Sequence, residues 1–318
     1  MRDFALRRLA AAPPVVLAVS FAVFMAMYWL PGDGIRGGRL PATATDAQVA
    51  AERARLGLDR PVLERYARWL ADALHGDLGH SWTSGRPVTA MLGGALGNTA
   101  WLMAATLAVT VPLALGLALW CGLRPGGLVD RAVLAVCALG VAVPGFVVGI
   151  GVSLVFAVRL GWFPALSSPD PARPLPAQPA LLALPVAVLA LGLAGYLVQV
   201  VRAQVVTVAA AEYVEAARLR GVRPARLVRR HLLPGLLPVA AQLVALSAIG
   251  LVTETVVVEN VFTFPGAGSL LRTATADRDM PVVQGIAVVL ALVVVVANVL
   301  GELCARLLDP AGRGRAAG

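Results

Sequence analysis

Apolar residues run through this chain in long unbroken stretches, rather than in the alternating or every-third-residue pattern of a water-soluble fold. Roughly 20 apolar helical residues cross about 30 Å of hydrocarbon. Six stretches qualify, at about residues 9–30, 98–123, 132–158, 180–201, 236–258 and 282–303. Arg2, Arg7 and Arg8 precede the first, as in a signal peptide. Its apolar run is too long for a signal core, however, and Tyr28 and Trp29 at its far end suit an interfacial anchor, so it is expected to be a retained span. The pattern predicts an all-α membrane protein with six transmembrane helices.

The polar segments between the spans carry their own patterns. Residues 46–56 and a helix started by Pro61, with Leu63, Tyr66, Trp69, Leu70 and Leu74 along it, read as two short amphipathic helices closed by the glycines after His75. They predict a small cap between spans one and two. The six prolines of 161–180 predict an extended, rigid loop. The 259–281 segment, with Pro265, Gly266 and Gly268, is expected to fold back and to be covered by protein or face a cavity. The organisation predicted is 1–97 for span one and cap, 98–310 for a five-helix core, and 311–318 for a flexible tail.

Charge orients these spans. The protein has 318 residues, 58% hydrophobic and 14% charged, with a net charge of +9. All 27 basic residues are arginine, a bias that fits a GC-rich bacterial genome. With the N-terminus inside, fifteen arginines fall on the inner side and four in the short outer loops, the other eight lying in the long 31–97 segment. Both termini are therefore expected in the cytoplasm, with the cap outside. Membrane topology explains the positive charge better than nucleic-acid binding does. Without lysine the chain cannot hold a phosphate loop of the G-x-x-x-x-G-K-[ST] type, so any ATP hydrolysis belongs to another chain. Cys121, Cys137 and Cys304 have neither metal-ligand spacing nor a disulfide framework.

The most informative segment is EYVEAARLRGVRPARLVRRHLLPGLLP, residues 212–238, an island with two glutamates and six arginines between apolar spans. It reads as a helix over 212–219, a left-handed turn at Gly221, a second helix over 225–233 opened by Pro224, and a return to the membrane at Pro234 and Pro238. Ala216 and Ala217 together offer a flat face on which a partner groove can approach the backbone.

The spacing of this island closely resembles the EAA loop of the membrane subunits of ATP-binding-cassette importers, with the pattern E-A-A-x3-G-x9-I-x-L-P. Glu215, Ala216, Ala217, Gly221, Leu233 and Pro234 stand in register, and His231 occupies the isoleucine position. Further stretches resemble the dipeptide, oligopeptide and nickel permeases, on the side of the first of their two membrane subunits. They are LPGD at Leu30 to Asp33, RLGLDRPVLERYARWL at 55–70, GDLGHS at 76–81, VDRAV at 129–133, VPGF at 143–146 and AVRLGWFPA at 157–165. After the island follow VVVENVFTFPGAGSLL at 256–271, RDMPVVQG at 278–285 and LLDP at 307–310. Pro234–Gly235 departs from the arginine-asparagine pair usual there, and Glu254 from a small residue.

The resemblance implies a type I importer permease (MetI-like) fold in a bacterial cytoplasmic membrane. It implies that the 212–234 loop couples the chain to an ATPase through Glu215, Ala216, Ala217, Gly221, His231, Leu233 and Pro234. It further implies a second homologous permease, two ATPase domains that hydrolyse ATP with Mg, and an extracytoplasmic solute-binding protein. This chain itself would bind no cofactor and catalyse no covalent chemistry. The cargo implied is a dipeptide or oligopeptide, with nickel or a metal chelate as the alternative.

Polar residues within the spans are candidates for the pathway: Gln199, Gln242, Glu254 and Asn298. Glu254 reads either as a partner for a cationic group of the cargo or as an edge acid paired to a neighbour. The amides read by default as helix-helix hydrogen bonds, and Glu302 is placed to pair with Arg306. A self-sufficient secondary transporter would need an internal repeat. A membrane enzyme would need more than His75, Asp77 and His80.

Overall fold

The computed structural model describes residues 2–29, 35, 39–41, 43–170 and 173–308, with backbone alone at 2–12, 224 and 300–308. Leu30 to Asp33, Asp309–Pro310 and the 311–318 tail lie outside the described residues, as do the side chains of Glu302, Cys304 and Arg306. The helices are α1 (Arg2–Trp29), α2 (Asp46–Arg55), α3 (Val62–Leu74), α4 (Val88–Leu123), α5 (Leu128–Ala142), α6 (Gly145–Val152), α7 (Pro179–Ala209), α8 (Glu212–Leu219), α9 (Pro224–Leu227), α10 (Leu233–Val261), α11 (Ala267–Ala276) and α12 (Met280–Leu308). Wider π-helical turns extend α6 over Ser153–Arg159 and join α9 to α10 over Val228–Leu232.

Among the described residues, four helices are long and apolar enough to cross a membrane: Val88–Leu123, Pro179–Ala209, Ala225–Val261 and Met280–Val299. The span expected over 132–158 is not one straight helix. It breaks into Leu128–Ala142 and Gly145–Arg159, bent by 110°, and counts as a fifth crossing only if the pair is taken together. Val143 (φ −92°, ψ 127°) is extended, because the ring of Pro144 crowds the residue before it out of the helical region, and Pro144 itself (φ −55°, ψ 136°) is also non-helical. Proline alone does not decide this, since Pro112, Pro185 and Pro238 all sit inside helices. The sixth expected crossing, α1, has the shorter apolar stretch Pro13–Trp29 among its described residues.

The chain divides into two compact units, Met1–Thr99 with Pro265–Val295, and Ala100–Phe264 with Val296–Gly318. In the first, Val88, Leu92, Ala274, Val282, Val283 and Ile286 form the core. Thr45 starts α2 with a capping box to Gln48, and Pro61 starts α3, so both short helices begin where the sequence signals place them. Tyr66 fixes α3 alongside α1, edge-on to Phe21 and Phe24 at 5.2 and 5.4 Å and 2.7 Å from Ser20 Oγ. The carboxylate of Asp279, only 2% exposed, gathers the 81–83 turn by accepting from Ser81 Oγ, Trp82 N, Thr83 N and Thr83 Oγ1.

In the second unit α7 is the central helix, packed against α5, α6 and α10. Small residues let the backbones meet. A Cβ on Gly140 would lie 2.9 Å from the Leu191 carbonyl oxygen, and one on Gly195 2.8 Å from that of Cys137. The six-proline loop is tied down rather than simply extended. Ser167 donates from N to Phe262 O and from Oγ to Leu181 O, and Leu175 is buried in a single 3-10 turn. Phe262 and Phe264, at the start of the 259–281 segment, are fully buried.

Candidate functional site

The charged island folds as a short helix, a sharp turn and a re-entering helix. Ala211, extended, leads into α8, whose first turn carries Glu212 and Glu215, where negative charge suits the helix dipole. The far end closes as a Schellman motif: Gly221 N donates to Arg218 O at 2.9 Å and Val222 N to Ala217 O at 3.2 Å, with Gly221 at φ +73°. The second helix does not end at Pro234. Leu233 N donates to Val228 O, five residues back, and this wider turn absorbs the proline before α10 continues through Pro238.

Two faces of α8 have different work. Val214 and Ala217 are buried in a cluster with Ala118, Val201, Val205, Leu227, Leu232, Leu236 and Ala240. The expected flat pair of alanines is therefore split: Ala217 packs into its own chain, and Ala216, half-buried, lies on the other side. With 100° per residue, Glu212, Glu215, Ala216 and Leu219 share the outward face. Leu219 is 84% exposed, an apolar side chain left uncovered by this chain. Tyr213 Oη reaches the His231 carbonyl at 3.5 Å, linking α8 to the returning helix. His231 and Leu233 are half-buried and Pro234 is exposed.

Behind this platform lies an ion pair that the sequence reading missed. Arg202, on α7, grips Asp130, on α5, with Nε to Oδ1 at 2.7 Å and Nη2 to Oδ2 at 2.6 Å, while Gly126 N donates to Asp130 Oδ2 at 2.8 Å. Asp130 lies in the VDRAV stretch, and Arg202 was legible only as one of many positive charges at a span end. Val201 and Val205, flanking Arg202, belong to the cluster under α8, so the ion pair and the α8 platform share one stretch of α7.

Of the four pathway candidates, Glu254 lines two hollows. One hollow of about 400 Å³ is walled by Pro144, Gly192, Tyr196, Thr253 and Glu254, and another of about 270 Å³ by Gly192, Tyr196, Ser247, Gly250 and Glu254. Glu254 Oε2 would lie 3.4 Å from a Cβ on Gly192, and Ser247 Oγ is buried without a hydrogen-bond partner. The α5–α6 break thus opens onto the same space as the acid. Gln199 and Asn298, half-buried, and Gln242, exposed, line neither hollow. Glu259, fully buried five residues further on, went unmarked in the sequence. Among the described residues no three of His, Cys, Asp and Glu gather as a metal site.

The chain resembles known proteins along nearly its whole length. Residues 114–314 match the family described as binding-protein-dependent transport system inner membrane component, and residues 1–118 match its N-terminal companion. A Brucella suis protein that carries the name of a peptide permease is 33% identical over 315 residues, covering 98% of each chain. One from Brucella abortus, named as a peptide transport system permease, is 34% identical over 319 residues, again 98% of each. The glutathione transport system permease of Pectobacterium atrosepticum is 30% identical over 315 residues, 98% of this chain and 99% of its own. The chain belongs to the family of binding-protein-dependent transport system inner membrane components.

Proposed function

We propose that this chain is one of two permease subunits of an ATP-driven importer of short peptides, moved between inward- and outward-open states by a separate ATPase that docks on α8. The observation that carries the reading is the divided α8. Its inner face is fixed by Val214 and Ala217, its end is locked by Gly221, and Glu212, Glu215, Ala216 and Leu219 face outward, Glu215 and Ala216 in the register of the importer loop. A short helix anchored on one side passes a push to the helices beneath it as a rigid body. The arginine distribution supports both termini and this loop in the cytoplasm, six crossings with α1 and the bent α5–α6 pair counted as spans, and α2–α3 outside. ATP and Mg belong to the partner ATPases, and cargo delivery to an extracytoplasmic binding protein.

The names of the relatives support peptides over nickel as cargo. The hollow at Glu254 supports the same choice. It joins a carboxylate to the C-terminal, electronegative end of α5 at the Pro144 break, a setting for a peptide ammonium. Co-purification tests the docking claim. The cognate ATPase is expected to be retained by the wild type and lost at least tenfold on Leu219→Asp or Gly221→Pro. Wild-type retention by both variants would overturn it.

A further inference from the structure

Next to the end of α1, the unit holding α2 and α3 carries two adjoining hollows of about 710 Å³ and about 320 Å³. Arg60, Arg65, Trp82 and Met280 line both. The acids nearby are already engaged: Asp59 with Arg53 at 3.7 Å, and Glu64 with Arg60 at 3.4 Å and Arg68 at 2.8 Å. Arg65 and Arg278 have no carboxylate partner among the described residues. Arg65 is half-buried over the Phe24 ring at 5.7 Å, and its Nη2 donates to the Met280 sulfur at 3.6 Å. Burial draws its guanidinium below the ordinary arginine pKa, with Tyr28 opposing, so a fixed positive charge here lacks compensation.

Two more donors belong to the smaller hollow. Trp69 Nε1 and Gln284 Nε2 are both buried and meet no acceptor, and Gln284 as a whole is only 2% exposed. Buried N–H groups without acceptors are costly, so two on one wall beside an uncompensated guanidinium mark a place for an acceptor-only, negatively charged group. Its level is set by α1. Phe24 lies five residues, about 7.5 Å, before Trp29 at the helix end. Trp29 at the end of α1 and Leu63 and Leu74 on α3 are 76%, 67% and 80% exposed. Exposed indole and leucine side chains beside arginines suit a membrane interface.

We propose that these hollows bind the phosphodiester of an anionic phospholipid headgroup, received by Arg65, Trp69 Nε1 and Gln284 Nε2, with Arg278 adding positive charge. The proposal rests on α1 being a membrane span but not on the cargo or the ATPase.

Native mass spectrometry of the full chain, taken from bilayers of equal phosphatidylglycerol and phosphatidylcholine, tests it. Wild-type protein is expected to retain phosphatidylglycerol at least tenfold over phosphatidylcholine. Arg65→Gln should cut that retention at least tenfold and Trp69→Phe severalfold, while Arg159→Gln, an exposed charge elsewhere, leaves it unchanged. Trp69→Phe keeps a ring and removes one N–H, so it decides the matter if Arg65→Gln does not fold. Equal retention of the two lipids by the wild type, or retention unmoved by both cavity variants, overturns the proposal. So does displacement of phosphatidylglycerol by millimolar inorganic phosphate, which would make this a free-anion site. Absence of phosphatidylglycerol from the wild type likewise overturns it.

Discussion

Asp130 and Arg202 are 72 residues apart in sequence and share two hydrogen bonds in the fold. Such a pair is worth little over a well-packed apolar substitute, yet removing one partner strands a charge away from water. Asp130→Ala or Arg202→Met alone should therefore lower the thermal midpoint by several degrees in detergent. The double variant Asp130→Leu/Arg202→Met should recover most of the loss, which circular dichroism melts will show; equal losses in single and double variants would contradict the pairing. The pair was illegible beforehand because an acid and an arginine at span ends, read singly, are ordinary topology signals. Asp279 was hidden likewise, its partners lying nearly two hundred residues earlier. Gly221 was legible, because a left-handed closing residue follows from local chain chemistry alone.

Among elements, contact between α5 and α7 depends on what is missing from Gly140 and Gly195. A methyl at either position would press on a partner backbone oxygen, which cannot rotate away as a side chain can. Gly195→Ala is expected to cost roughly 1–3 kcal/mol as overpacking. Gly151→Ala, where nothing lies within 4 Å, should cost far less. Denaturant titration in mild detergent compares them, and equal midpoints would contradict this close approach. Helix starts and ends were readable from caps and prolines in α2, α3 and α8. The α5–α6 break was not. The same chain carries prolines through four other helices, so the outcome at Pro144 depends on surrounding packing rather than on the residue. The split of Ala216 from Ala217 escaped the sequence for a related reason: adjacent small residues do not reveal which one turns inward.

At the scale of the whole molecule, apolar runs, arginine placement and one spaced motif were enough to reach the family, because hydrocarbon leaves a chain few ways to satisfy its backbone. The proposed coupling to an ATPase rests on α8 moving with the helices beneath it. The most direct measurement is uptake of a labelled short peptide into proteoliposomes holding this chain, the proposed second permease and the proposed ATPase, with the binding protein supplied outside. Uptake should require ATP and the binding protein, and Glu215→Ala should reduce it at least tenfold while leaving the protein folded. Uptake by this chain alone without ATP, or full uptake by the Glu215→Ala and Gly221→Pro variants, would contradict the account.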